Sequence, residues 1–569
     1  MRLEQLSIKN FRGIQECVLR LDGESSISCL IGPGDSGKST ILTAIEWAFW
    51  PRYALGVGDI DFYNCDTKQH IEIEATISGY PDELIGEAKF ALYQRCLPSA
   101  DVDYAKFDDP KDDEETALTI RLQIDETLEP EWFVVKNSQE PRRIGAGDRA
   151  KIPVCVISSR HTNDMLWGRQ SLLQRYAASN EAVKATSISA ARELSHMELA
   201  DLDEVTRTLA GKLAQFGVQI TEDELANRFI MAGTSLPSQV GLFEGNAPLM
   251  YLGEGSRRLF SAGLAFNLAN NGALILVDEI ESGLEPHRLC NLIAKLRRSG
   301  ANKDGTRPSQ SIFTTHSPVV LQELKHDELY AVTRQGDGVT NVFHMRSDDP
   351  SINNEIQGLL RTLPHAFLAM RIYVCEGKTE FGLVRAIDGR RREEGEAGLT
   401  AEGVTLADVQ GGTKMFTLAK HLKNAGYLPC IFMDSDCDDY QSKKDAAEKD
   451  GIKVFDWDDG NMTEAQVFSD VSVGAVKEIL RLAIEFSSHE SIRDQLKNSS
   501  LDLDAVLDAD AISDSDRETL GLAAHRKSWF KDIAKGERLG SIILDHKAEA
   551  DAGSTLYATL KNLEAWAVE

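Results

Sequence analysis

The spacing of apolar positions changes several times along the chain. "MRLEQLSIKNFRGI" alternates apolar and polar residues and lacks the continuous apolar core of a signal peptide. "ISCLIGPGDSGKSTILTAIEWAFW" runs from an apolar strand through a glycine-rich turn into a helix with apolar residues at helical spacing. "GALILVDEIESGLEP" (272–286) and "SIFTTHSP" (311–318) predict two buried strands. Before them, "YLGEGSRRLFSAGLAFNLA" predicts a turn over Gly253 to Ser256 that opens a long helix. The stretch from 172 to 216 reads as a modest helical insertion.

A second region repeats a different order. "RIYVCEG" predicts a buried strand ending at Glu376, followed by a helical pattern from Thr379 to about Ile387. "GVTLADVQGG" (403–412) reads as a strand, "TKMFTLAKHLKNAG" (413–426) as a helix, and "LPCIFMDSD" (428–436) as a buried strand ending in Asp434 and Asp436. "IKVFDWDD" (452–459) predicts a further strand. Alternating strands and helices predict a small parallel sheet, and such sheets collect functional groups at the carboxyl ends of their strands. That topology brings Glu376, Asp434 and Asp436 together.

Composition narrows the classes. At 569 residues the chain has room for about two to four domains. Hydrophobic content of 42% and charged content of 27% are those of a soluble globular protein. No apolar run is long enough for a membrane span, and the nine cysteines form no CxxC pairs, so the expectation is a cytoplasmic protein without a zinc or disulfide framework. A formal charge of −28 repels phosphate on average. The local basic tracks, "GRRR" (389–392) and "KLRRSGANKDGTR" (295–307), are the candidates for nucleic-acid contact.

The glycine-rich turn is GxxxxGK[ST] in strand–loop–helix context, from Gly32 through Gly34 and Gly37 to Lys38, Ser39 and Thr40. Its backbone N–H groups and the helix terminus suit phosphates, with Lys38 reaching the β- and γ-phosphates of ATP and Ser39 ligating Mg²⁺. Downstream, Asp278 is placed to hold the Mg²⁺ shell and Glu279 to orient or deprotonate the attacking water. His316 is placed to sense the γ-phosphate, and Ser256 to offer a donor to a nucleotide on a second subunit. In the second region, clustered carboxylates persist where cations neutralise them. Hard oxygen ligands suit Mg²⁺ or Mn²⁺, and two such ions can clamp both oxygens of a phosphodiester displacement.

"IKNFRGI", the P-loop, "GEGS", "VDEIESGLEP" and "TTHSP" together resemble the ABC-type ATPase heads of the SMC, RecF and OLD (overcoming lysogenization defect) families. The resemblance implies ATP held between two heads, although "GEGS" departs from the usual LSGGQ and the segment between the two Walker motifs is far shorter than an SMC coiled coil. Glu376 and Glu380 in EGxxE, with Asp434 and Asp436 in DxD, resemble a Toprim domain, and the resemblance makes Glu376, Glu380, Asp434 and Asp436, with Glu464, the expected metal-site residues. A Toprim behind an ABC head is the architecture of the OLD family, which includes the nuclease subunit of the Gabija phage-defence system. It implies an α/β fold: head parts at 1–160 and 233–345, a helical dimerisation insertion at 161–232, and a Toprim domain with helical C-terminal elements at 366–569. It also implies an ATP-coupled, Mg²⁺- or Mn²⁺-dependent DNA endonuclease. Its partners would be DNA, a second copy in a homodimer or higher oligomer, and a helicase-like or other defence subunit. In the family a further acid matches Glu464, and a late lysine matches Lys531 or Lys535. The rival readings are a DNA-sensing ATPase switch or repair protein with vestigial acids, and a topoisomerase or primase, for which neither a further domain nor a zinc motif is evident.

Overall fold

The computed structural model describes residues 1–22, 25–86, 89–97, 108–111, 114–157, 193, 243–244, 247–248, 251, 253–269, 272–299, 309–334, 336–409, 412–435, 440–457, 460–497, 499, 501–549 and 553–568. Asp436 and almost all of the expected helical insertion lie outside them.

The alternating amino-terminal segment forms strand β1 (Arg2–Phe11), paired antiparallel with β2 (Ile14–Arg20). On the other side of β1, β4 (Ile71–Ser78), β5 (Thr116–Ile124), β6 (Pro130–Lys136) and β7 (Gln139–Arg143) continue antiparallel. The apolar runs build the other half of the sheet. There β3 (Ile27–Ile31) lies between β10 (Gln310–Thr314) and β11 (Leu329–Arg334), followed outward by β9 (Leu274–Val277) and β8 (Val154–Ile157), all parallel. β12 (Val339–His344) joins β11 to β2 and completes one thirteen-stranded mixed sheet, with the short strand Arg95–Cys96 beside β5. β3, β9 and β10 are buried at every position, as strands covered on both faces must be. Helices α1 (Lys38–Ala48), α2 (Glu254–Ala269) and α3 (Pro286–Ser299) belong to this part, and α4 (Pro350–Thr362) leads out of it towards the second region.

The second sheet has four parallel strands in the order β14 (Val404–Asp408), β13 (Arg371–Cys375), β15 (Leu428–Phe432) and β16 (Lys453–Phe455). Period two sorts β13 cleanly. Ile372 and Val374 enter a core that also contains Ile31, Phe313 and Ala331 of the first sheet. Tyr373 and Cys375 face a second core with the later helices. Those helices include α5 (Lys378–Glu393), α7 (Thr463–Asp470), α8 (Val473–Phe486), α9 (Asp514–Arg526), α10 (Ile533–Asp545) and α11 (Thr555–Val568), whereas α6 (Lys414–Asn424) packs into the first of the two cores. At the seam between the two sheets, His421 Nε2 donates to the Met345 carbonyl (3.0 Å) and the ring meets Phe343 edge-on.

The expected fold class, an α/β P-loop head followed by a parallel α/β sheet with helical C-terminal elements, is the one observed. Local extents differ. The helix after Glu376 continues to Glu393, and the strand expected over 452–459 stops at Phe455. Trp457 leaves that strand to stack edge-on against Phe432. "GRRR" is part of helix α5 and not a free basic track: Arg390 pairs with Asp545, Arg391 with Glu396 and Glu564, and Arg392 with Asp388.

Candidate functional sites

The first site lies where β3 feeds α1. Gly32 has φ 138° and Gly37 has φ 101°, values that L side chains rarely adopt. A Cβ on Gly32 would stand 2.3 Å from the Val332 carbonyl oxygen, so the loop is packed onto β11 too closely for any other residue. Gly34 has open space around it. Lys38 Nζ turns back into the loop and donates to the carbonyls of Gly32 (3.0 Å) and Pro33 (2.6 Å) and to Ser36 Oγ (3.2 Å). Burial holds its ammonium down at about 8. A glycine loop, a buried lysine and a helix N-terminus at one place fit a nucleotide phosphate chain.

The ends of β9 and β10 close the site. Asp278 Oδ1 accepts from Ser39 Oγ (2.9 Å) and from Thr314 Oγ1 (2.7 Å). Thr314 Oγ1 in turn accepts the Glu279 backbone N–H at 2.7 Å, and Ser282 Oγ donates to the Glu279 carboxylate at 3.0 Å. Glu279 sits at φ 46°, unusual for a residue with a long side chain. Such a conformation persists only where its surroundings impose it. Glu281 accepts from Thr315 Oγ1 (2.7 Å) and from the His316 N–H (2.6 Å), which leaves the His316 ring at the exposed tip of the strand. Thr314 and Glu281 escaped the sequence reading. The doubled threonine in "TTHSP" and the extra acid in "DEIES" were the available signals.

The "GEGS" turn opens α2 as expected. A Cβ on Gly255 would lie 2.0 Å from the Gly283 carbonyl oxygen, and Gly283 has φ 71°, so two glycine backbones meet face to face. Arg258, one turn on, donates from Nη2 to the Asp278 carbonyl. Ser256 is half-buried in the first turn of α2, and Thr40 is half-buried in α1.

The second site lies at the carboxyl ends of β13 and β15, which are neighbours in register. Glu376 follows β13 directly, and its N–H donates to the Phe432 carbonyl at 2.9 Å. Its Oε2 accepts the Asp434 N–H at 2.9 Å, which ties the first acid to the second. Asp434 Oδ1 accepts both the N–H and the Oγ1–H of Thr463, each at 2.7 Å. Thr463 Oγ1 also lies 2.6 Å from Glu380 Oε1 and accepts Trp457 Nε1–H at 2.8 Å. Glu464 Oε1 accepts from Thr379 Oγ1 (3.3 Å), and its Oε2 meets His525 Nδ1 at 3.1 Å. Of the six acids and lysines expected here that the structure describes, Glu376, Asp434 and Glu380 form one hydrogen-bonded chain through the Asp434 N–H and Thr463, and Glu464 is held separately by Thr379 and His525.

Protons can be counted at this junction. The Thr463 hydroxyl has one hydrogen and faces two carboxyl oxygens while accepting from Trp457. A proton on Glu380 completes the set: Glu380 donates to Thr463, and Thr463 donates to Asp434. Glu380 is buried, and burial followed by the Asp434 charge pushes its carboxyl up to about 8. The Glu464 carboxylate holds the His525 imidazole above its usual value, chiefly through their hydrogen bond.

Among the described residues no three acid, histidine or cysteine side chains converge at ligand distance. The donor set nevertheless fits a hard divalent cation, since Glu376 and Asp434 are half-buried, all-oxygen and adjacent. The two late lysines separate. Lys531 is exposed and its charge acts on His525, whereas Lys535 Nζ stands 5.1 Å over the Phe486 ring. No role was expected for Thr379, Thr463 or His525, although Thr379 lies inside EGxxE and Thr463 is adjacent to Glu464.

Comparison with known proteins finds likenesses to parts of the chain. Residues 1–142 match the family model described as "AAA ATPase domain", and residues 191–322 match "AAA domain, putative AbiEii toxin, Type IV TA system". A curated relative, the OLD nuclease of Thermus scotoductus, is 22% identical over 377 residues, covering 62% of this chain and 66% of the relative, just under two thirds of its length. The resemblance to the OLD family is borne out. Solved structures with similar regions include an SMC head bound to the C-terminal winged-helix domain of ScpA (14% identity, 60% of this chain and 98% of that one, TM-score 0.34). Another is the recombination mediator RecF (13% identity, 60% and 98%, TM-score 0.32). At such scores the fold rests on the strand order and loop geometry described above. Two stretches of the chain thus match ATPase-domain models, and the chain is similar to a nuclease. Among the described residues no helix is long and apolar enough to cross a membrane.

Proposed function

We propose that this protein is an ATP-hydrolysing, divalent-metal-dependent DNA endonuclease of phage defence or DNA processing. In this reading a head over 1–345 governs a Toprim unit over 366–569. The observation that carries it is the junction of Glu376 and Asp434 at the ends of two adjacent parallel strands, in a chain that also holds a complete P-loop. Glu376 and Asp434 would hold Mg²⁺ or Mn²⁺, with Asp436 and Glu464 beside them. Such an ion, when bound, polarises the scissile phosphate and lowers the pKa of water. The chain's own residues do the positioning. The Thr463 N–H and hydroxyl fix the Asp434 carboxylate, and the Asp434 N–H fixes Glu376. His525 holds Glu464, and exposed Lys531 is the cation available to developing negative charge.

In the head, the P-loop N–H groups and Lys38 would bind the phosphates of ATP. Asp278, held by Ser39 and Thr314, would orient the Mg²⁺ shell, and Glu279 would position water. Ser256 and His316 complete the site in a homodimer, with Ser256 facing the partner's P-loop. A helicase-like or other defence subunit is a further partner in this reading. Supercoiled plasmid incubated with Mg²⁺, Mn²⁺ or EDTA, with and without ATP, tests the proposal. Nicking that requires metal is expected, with Mn²⁺ at least as effective as Mg²⁺. Intact plasmid under every condition would sink it.

A further inference from the structure

A chain with a net charge of −28 needs a local surface for DNA, and the arginines of "GRRR" do not supply one. Arg390, Arg391 and Arg392 are paired with acids, and Arg297 is bound bidentate by Glu328. A different segment stands open. Resting on the nuclease reading, we infer that residues 525–531, leading from α9 towards α10, grip the phosphate backbone of duplex DNA beside the carboxylates, with Arg526 and Lys527 as the phosphate contacts.

Both ends of this segment are pinned to the acidic site. His525 Nδ1 lies 3.1 Å from Glu464 Oε2, and the Phe530 carbonyl accepts from Thr379 Oγ1 at 3.5 Å. Between them Trp529 and Phe530 are buried, and Trp529 Nε1 donates to Gln495 Oε1 at 2.6 Å. Ser528, at φ 55°, turns the chain between helix and anchor. The remaining side chains point outward: Arg526, Lys527 and Lys531 are exposed. None of these three makes an ion pair or a side-chain hydrogen bond among the described residues. Lys378, exposed and likewise unpaired among them, immediately precedes Thr379 on the facing helix. The arginines of α5, by contrast, are paired with carboxylates in a chain with 90 acidic residues. An anchored turn that keeps its cations unpaired next to clustered acids matches an anionic polymer whose phosphodiester must approach those acids. Such contacts release counterions, so they leave a signature in the salt dependence of binding.

The test is duplex binding by fluorescence anisotropy in EDTA, which keeps the DNA intact, as a function of salt. Arg526→Ala/Lys527→Ala is compared with Lys68→Ala/Lys561→Ala, which removes the same charge from exposed positions elsewhere. Circular dichroism and melting temperature confirm folding. The turn variant is expected to bind tenfold or more weakly at about 150 mM salt. Its slope of log K against log salt should be shallower by about 2, from about 0.9 per lost phosphate contact. The control variant should match wild type. If wild type nicks plasmid and the turn variant binds and cuts equally well, the grip lies elsewhere and the nuclease reading stands. If wild type neither binds nor cuts DNA, both fall.

Discussion

Replacing Glu380 with glutamine tests the proton count at the acidic site. The folded carboxyl titrates at about 8 against an ordinary value of 4.5, so between these values the folded chain holds a proton that the unfolded chain releases. The folded state binds more protons, and stability therefore falls as pH rises through this window. From 4.5 to pH 7 is about 2.5 pH units, which at about 1.4 kcal/mol each is a penalty of roughly 3–4 kcal/mol. A glutamine side chain cannot ionise, and its amide keeps a donor for Thr463 Oγ1. Glu380→Gln should thus match wild type near pH 4.5 and become progressively more stable towards pH 8. Calorimetric melting in EDTA, at half-unit steps from about pH 5 to 8.5, reads this as a difference of a few degrees that widens with pH and then levels. A constant difference across the whole range would show that Glu380 is ionised in the fold and that the Thr463 junction is misassigned.

Lys38→Ala should abolish ATP binding, whereas Glu279→Gln should bind ATP and hydrolyse it at least tenfold more slowly; turnover at the wild-type rate would remove Glu279 from water positioning. Gly255→Ala must push a Cβ into the Gly283 carbonyl, so destabilisation by about 2 kcal/mol or more and loss of ATP hydrolysis are expected, read by melting and phosphate release. Lys531→Ala should reduce plasmid cleavage about a hundredfold. Lys535→Ala should retain cleavage and lose about 0.5–1 kcal/mol of stability from its contact with Phe486. Ser256 in trans requires at least a dimer, so light scattering that finds a monomer with intact ATP hydrolysis would contradict the composite site.

The parts legible in the sequence were those encoded contiguously or by strand order. The P-loop announces itself because strand, glycine turn and helix occupy one stretch, Ile27 to Ala48. Glu376 and Asp434 were paired in advance because parallel strands place their carboxyl ends side by side. The connectors were not legible. Thr463 reaches Glu380 across 83 positions, and His525 reaches Glu464 across 61. Nothing local distinguishes such a threonine or histidine from a surface one. The pairing of "GRRR" was hidden for the same reason, since its acids Asp545 and Glu564 lie on helices far along the chain. Lys531 and Lys535 are four residues apart and looked equivalent, but α10 begins at Ile533. Lys531 therefore precedes the helix and stays near His525, while Lys535 is carried to Phe486.

The central claim is that metal-dependent DNA cleavage is performed by the strand-end carboxylates and is chemically separate from ATP hydrolysis at the P-loop. Plasmid nicking and ATP turnover measured side by side, in Mn²⁺, on wild type and Asp434→Asn test it most directly. Asparagine keeps the shape of the side chain and an oxygen for the Thr463 donors while removing the charge a cation needs. The account predicts nicking reduced at least a hundredfold with ATP hydrolysis within twofold of wild type. An Asp434→Asn protein that nicks plasmid at the wild-type rate would contradict it.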